Sequence, residues 1–112
     1  MFNRPGRSWY RIDGSLMQID SGPFGMVYGV NSGRYIFCRT GITWKNPKGS
    51  KWRHVPGRLK YVSAGLLGLW GVTYHNYVYF RFGVSRRNPQ GIVFIDIYLL
   101  QKRAFFKVTF LF

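Results

Sequence analysis

The stretch Trp52 to Gly71, WRHVPGRLKYVSAGLLGLWG, repeats a skeleton already present at Trp9 to Gly29, WYRIDGSLMQIDSGPFGMVYG. Trp9 and Trp52, Gly14 and Gly57, and Gly22 and Gly65 each lie 43 residues apart. With Met26 omitted to keep register, the match continues through Gly29/Gly71, Val30/Val72, Tyr35/Tyr77, Arg39/Arg81, Gly41/Gly83, Asn46/Asn88, Pro47/Pro89 and Gly49/Gly91, and 13 of 40 aligned positions are identical. Six of these are glycines, so the weight falls on the non-glycine matches and their order. About three identities would arise by chance at ordinary residue frequencies. A period of about 40 to 45 residues is the signature of a β-propeller blade, a small sheet that cannot bury both faces until neighbours stack on it. The expected fold is all-β: two tandem four-stranded antiparallel blades of an incomplete ring, followed by a divergent tail.

Around this skeleton the chain divides into a partial inter-blade loop at 1–8, a first repeat at 9–51, a second at 52–91 and a non-repeat apolar tail at 92–112. Each repeat offers four short runs rich in β-branched and aromatic residues between Gly, Pro and Asn breakers. In the first they are Trp9–Asp13, Leu16–Ser21, Val27–Asn31 and Ile36–Thr40; in the second Trp52–Val55, Leu59–Ala64, Leu69–Thr73 and Val78–Phe82. Leu59 and Val62, three apart, would point to opposite faces of one strand and are both apolar, which suits a sheet covered on both sides. Gly14/Gly57 and Gly22/Gly65 read as turn positions with positive φ, and Gly29/Gly71, inside a strand, as points of close approach by a neighbour. After Gly91 the sequence IVFIDIYLLQKRAFFKVTFLF has neither the Gly nor the Trp that the period asks for. Its apolar run is broken by Asp96 and followed by Gln101-Lys102-Arg103, too short and too charged to span a bilayer. It reads as an amphipathic or strand-forming tail, or as the product of a truncated or misread coding sequence.

The 112 residues are 46% hydrophobic and 20% aromatic, enough for one modest core. Seventeen Lys and Arg stand against Asp13, Asp20 and Asp96, a net charge of +14 that favours polyanionic partners: nucleic acid, anionic lipid or an acidic glycan. Cys38 is alone, which excludes an intramolecular disulfide and a cysteine-based metal cluster. No cofactor or metal is expected: His54 and His75 occupy non-equivalent repeat positions without ligand partners at suitable spacing. The two acids of the repeat region, Asp13 and Asp20, form no repeated carboxylate pair, so an enzyme is not expected. The start, MFNRPGRSWYRIDG, contains no apolar run of signal-peptide length.

The motifs WYRIDGSLMQIDSG, VYGVN, IFCRTGIT and NPKGSKW, then WRHVPGRLKYVSAG, LWGV, VYFRFGVS and NPQG, resemble those of tectonin-repeat proteins, most closely the fish egg lectins, across residues 3 to 91. The resemblance implies a secreted, non-catalytic propeller of about six four-stranded blades. It would bind N-acetylglucosamine and bacterial surface glycans such as lipopolysaccharide in innate defence. Two blades cannot close such a ring, and the tail departs from the pattern. The resemblance also implies that a bridge formed in relatives near the positions of Ala64 and Leu69 is missing here, leaving Cys38 unpaired.

Recurrence of Trp9 and Trp52 at the blade period assigns them to packing, whereas Trp70, matched by Tyr28, stands open between packing and stacking on a sugar ring. Arg39 and Arg81 offer guanidinium forks for an acidic sugar or phosphate, or for backbone carbonyls of a neighbour. Asn46 and Asn88, each before a proline, offer amides for hydroxyls or for shaping a turn. The candidate carbohydrate-binding residues are therefore Tyr28, Arg39, Asn46, Trp70, Arg81 and Asn88, acting as weak sites multiplied over blades. The clusters Lys45–Lys51–Arg53, Arg58–Lys60 and Arg86-Arg87 interleave with aromatics as in nonspecific single-strand binders, but no RNP or helix-turn-helix pattern accompanies them. Nucleic acid is accordingly the weaker alternative, beside an intracellular tectonin-type scaffold. Blade faces left without neighbours, and their unpaired edges, invite self-association.

Overall fold

The computed structural model describes residues 8–96 apart from 86 and 92, with 93–96 as backbone. Two antiparallel four-stranded sheets account for nearly all regular structure among these residues. The first comprises β1 (Gln18–Ser21), β2 (Val27–Val30), β3 (Tyr35–Thr40) and β4 (Lys51–Arg58), in that order. The second comprises β5 (Tyr61–Ala64), β6 (Leu69–Val72), β7 (Val78–Phe82) and β8 (Val93–Asp96). The blade architecture is as expected, and the described residues close no ring.

The sheets and the sequence repeats are out of phase by one strand. Trp52–Val55 was expected to open the second sheet; instead it lies in β4, which pairs with β3 in register Arg39↔Trp52 and Cys38↔Arg53 and closes the first. A strand one repeat earlier, at Trp9–Asp13, would therefore belong to a sheet preceding β1. The described residues contain no such sheet, and 8–13 form no strand. Trp9 consequently does not pack: it is 96% exposed. Trp52 does, half-buried, its indole N–H donating to the Asp13 carbonyl at 2.7 Å beneath the guanidinium of Arg39.

The same offset gives the tail a place. Residues 93–96 form β8 in register Arg81↔Phe94 and Phe80↔Ile95, so Phe94 stands where Trp52 stands in the first sheet. The strand-forming reading of the tail holds for these four residues, and its remainder, 92 and 97–112, lies outside the described residues, as does most of the 1–8 loop.

The core lies between the sheets. Tyr28, Val30, Ile36, Cys38 and Val55 project from the first sheet, and Val62 and Leu69 meet them from the second, with Met26 and Leu59 completing the cluster. Leu59 is not part of a strand, as its alternation suggested, but precedes β5 and tucks under Gly71; Leu16 does the same under Gly29. A Cβ on Gly29 would lie 2.6 Å from Leu16 Cδ1 and 2.8 Å from the Gln18 carbonyl oxygen, which explains why this strand position excludes a side chain. Gly14 and Gly57 have the expected positive φ, whereas Gly22 does not, at −109°. What Gly22 allows is close approach: a Cβ there would lie 2.8 Å from the Cβ of Ala64 on the neighbouring sheet.

The junction itself is made by side chains that imitate a strand. β5 pairs with β6 along one edge; toward β1, Gln18 Nε2 donates to the Val62 carbonyl (2.7 Å) and Val62 N–H donates to Gln18 Oε1 (2.8 Å). Ala64 N–H donates to Asp20 Oδ2 at 2.7 Å. A buried strand edge left without such partners would cost roughly 1–3 kcal/mol per group. Ala64 and Leu69 face each other across β5 and β6, and Cys38 is buried with a free thiol.

Candidate functional site

Each sheet carries a long loop between its third and fourth strands, and the two loops are built alike. In the first, Arg39 Nε donates to the Lys48 carbonyl at 2.9 Å; in the second, Arg81 Nε donates to the Gln90 carbonyl. Thr43 and Ser85 accept from the backbone N–H of Asn46 and Asn88, each at 3.0 Å. Asn46 Nδ2 reaches Ser50 Oγ at 3.2 Å, and Asn88 Nδ2 reaches the Gly91 carbonyl at 3.1 Å.

The second loop is also fastened across to the first sheet. Tyr28 Oη donates to the Pro89 carbonyl at 2.6 Å, and Gln90 Nε2 donates to the His54 carbonyl at 2.6 Å. Between this loop and the ends of β3 and β4 opens a cleft of about 290 Å³, lined by Phe24, Gly25 and Met26, by Arg39 to Ile42, by Arg53, and by Arg87 to Gln90. Its walls come from both sheets, so it exists only because two blades are juxtaposed.

The sequence-based candidates separate in this geometry. Arg39 and Asn88 line the cleft, and Tyr28 supports it from below. Tyr28 offers no stacking face, being 0% exposed, and burial pushes its phenol well above the ordinary range. Arg39 and Arg81 are 8% and 5% exposed and hold their own loops, with burial lowering the pKa of Arg81. Asn46 and Asn88 shape turns. Trp70 is 44% exposed on the outer face of the second sheet, its ring centroid 4.8 Å from that of Phe80. Asn46, Trp70 and Arg81 do not line the cleft.

Two kinds of cleft residue went unrecognised in the sequence. Phe24 sits at the lip in a left-handed conformation, φ 62° and ψ 27°, and is 67% exposed. A non-glycine residue held there is uncommon and strained, and such outliers cluster at functional positions. Arg53 and Arg87 were seen only as members of charge clusters. The fold brings them to one cavity from β4 of one sheet and the loop of the other.

A family model described as the tectonin domain matches residues 1–99 of the chain. The chain belongs to the tectonin family. The match runs through β8, so this tectonin domain includes the strand whose sequence departs from the repeat. No curated protein matches the chain. Tectonin domains occur in lectin-like proteins and are not known as enzymes, which fits a carbohydrate-binding role in general.

Proposed function

We propose that this tectonin domain binds sugars in the cleft between its two blades, with Phe24 as the ring platform and the polar groups of Arg39, Arg53, Arg87 and Asn88 around it. The observation that carries this reading is the position of Phe24: an exposed aromatic, held in a strained backbone, at the mouth of a cavity whose other groups are mostly hydrogen-bond donors. An aromatic face accepts the apolar C–H side of a pyranose, while guanidinium and amide groups meet its hydroxyl, N-acetyl or phosphate substituents. The finer reading is a secreted lectin of innate defence that recognises N-acetylglucosamine-type sugars and bacterial lipopolysaccharide. It is supported by the motif resemblance and by the +14 charge. A single such cleft is worth about 4 kcal/mol, a millimolar affinity, and repetitive glycans raise it through effective concentration.

The test is binding of N-acetylglucosamine and of lipopolysaccharide to the full chain and to Phe24→Ala. Loss of the platform is expected to weaken sugar binding about tenfold, or 1.4 kcal/mol. Equal binding by the variant overturns the role of Phe24, and no binding of any glycan by the parent overturns the lectin reading. Glycan binding that survives high salt favours this reading over a nucleic-acid binder, whose affinity falls steeply with salt.

One observation favours a scaffolding contribution beside sugar binding. The outer face of the second sheet exposes Tyr61, Trp70 and Val78 together, a surface suited to association with a further copy or a partner protein.

A further inference from the structure

The cleft holds an unbalanced set of charges. Arg53 and Arg87 are exposed, line the same cavity, and have no hydrogen-bond or ion-pair partner among the described residues. Other arginines are engaged: Arg58 donates to the Tyr35 hydroxyl, Arg34 stacks over the Tyr74 ring at 3.8 Å, and Arg39 has Asp13 at 3.8 Å. No carboxylate lines the cleft. Like charges directed into one concave space raise each other's energy, and the low-dielectric walls of a cleft focus that field. A guanidinium is moreover suited to oxyanions, presenting paired N–H donors at the spacing of two oxygens on one phosphorus or carbon.

From this we infer that the cleft selects a sugar bearing an anionic substituent, a phosphate monoester above all, with Arg53 and Arg87 closing on the substituent from the two blades while Phe24 takes the ring. This rests on the carbohydrate reading of the cleft and adds the class of sugar. Neither arginine is engaged in holding a loop, unlike Arg39 and Arg81. Both can therefore be replaced without removing a described side-chain hydrogen bond or ion pair of the fold.

The experiment is calorimetric titration of the full chain with N-acetylglucosamine, N-acetylglucosamine 6-phosphate and inorganic phosphate, at about 50 and 300 mM salt. The sugar phosphate is expected to bind at least about tenfold more tightly than the neutral sugar at low salt, with the advantage shrinking at high salt. The double variant Arg53→Gln/Arg87→Gln, checked for an unchanged far-UV spectrum, is expected to lose that advantage, binding the sugar phosphate no more tightly than the neutral sugar. Equal affinity for the two sugars, or an advantage that survives in the double variant, overturns the inference and leaves sugar binding standing. Inorganic phosphate binding as tightly as the sugar phosphate, with no binding of the neutral sugar, overturns the carbohydrate reading instead. Absence of binding by all three overturns both.

Discussion

Tyr28 and Trp70 occupy the same place in the two repeats and end in opposite environments. Tyr28 lies on the face of the first sheet that packs against the second, together with Gln18, Asp20, Val30, Ile36, Cys38 and Val55. The corresponding face of the second sheet carries Tyr61, Ser63, Trp70, Val72, Val78 and Phe80, and among the described residues no sheet lies over it. The chemistry of the two faces is similar, apolar and aromatic with two smaller or polar positions on the innermost strand. What makes one face a core is the neighbour. Burial in a stacked-blade fold is a property of the junction before it is a property of the residue.

The largest consequence is for paired truncations. Tyr28→Ala removes a fully buried ring and its bond to Pro89 and is expected to cost about 3–5 kcal/mol in a denaturant titration. Trp70→Ala, at the matching position, is expected to cost less than about 1 kcal/mol. Equal losses would break the comparison and mean that the outer face is covered in solution. Next come the innermost strands. Gln18→Ala and Asp20→Ala each leave backbone groups of β5 without a partner and are expected to cost roughly 1–3 kcal/mol, against about 0.5 kcal/mol or less for Tyr61→Ala and Ser63→Ala.

A smaller effect on stability accompanies a larger one on association. The exposed face should draw copies together, and Trp70→Glu is expected to shift sedimentation toward the monomer while changing stability by only about 0.5 kcal/mol. An unchanged sedimentation profile in an associating parent would place the contact elsewhere.

The smallest effect is a titration. Burial in the junction pushes the Cys38 thiol up to about 11, above its value in an unfolded chain near ~8.5. The unfolded state therefore releases this proton first as pH rises. The contribution of the neutral thiol is full below about pH 8.5 and lost progressively toward pH 11. Denaturation midpoints between pH 8 and 10.5 should fall more steeply for the parent than for Cys38→Ala. Parallel slopes would show that the thiol is not shielded by the second sheet.

Much of this was legible in the sequence because glycine, proline and tryptophan punctuate it at a fixed interval. The interval named the repeat, the strand count per sheet and the turns at Gly14 and Gly57. It could not give the phase, since a periodic string has no marked origin, and so Trp52 was placed at the start of a sheet it does not belong to. Nor could it reveal β8, where pairing with β7 is made by backbone groups that Phe94 supplies as well as a tryptophan would. For the site, repetition pointed to Arg39, Arg81, Asn46 and Asn88, and repetition is what structural duties produce: all four build their loops. Phe24, Arg53 and Arg87 have no identical counterparts, Leu67 standing opposite Phe24 in the alignment. They meet only through the juxtaposition of two blades, which a single-repeat signal does not encode.

The one-strand offset bears on how such chains can be lengthened or recombined. A 43-residue unit cut at the tryptophan carries at its front a strand that must be donated backwards and leaves at its rear a sheet awaiting one, much as a restriction fragment carries cohesive ends. Units joined in series knit automatically, each splice being bridged by hydrogen bonds that cross it. The final position accepts any short extended segment with free backbone groups, as Val93–Asp96 does here. Fusion of a foreign sequence after the last repeat is thus an operation the architecture tolerates, whereas a break at residues 51–52 would strip the first sheet of its outer strand and expose the floor of the cleft.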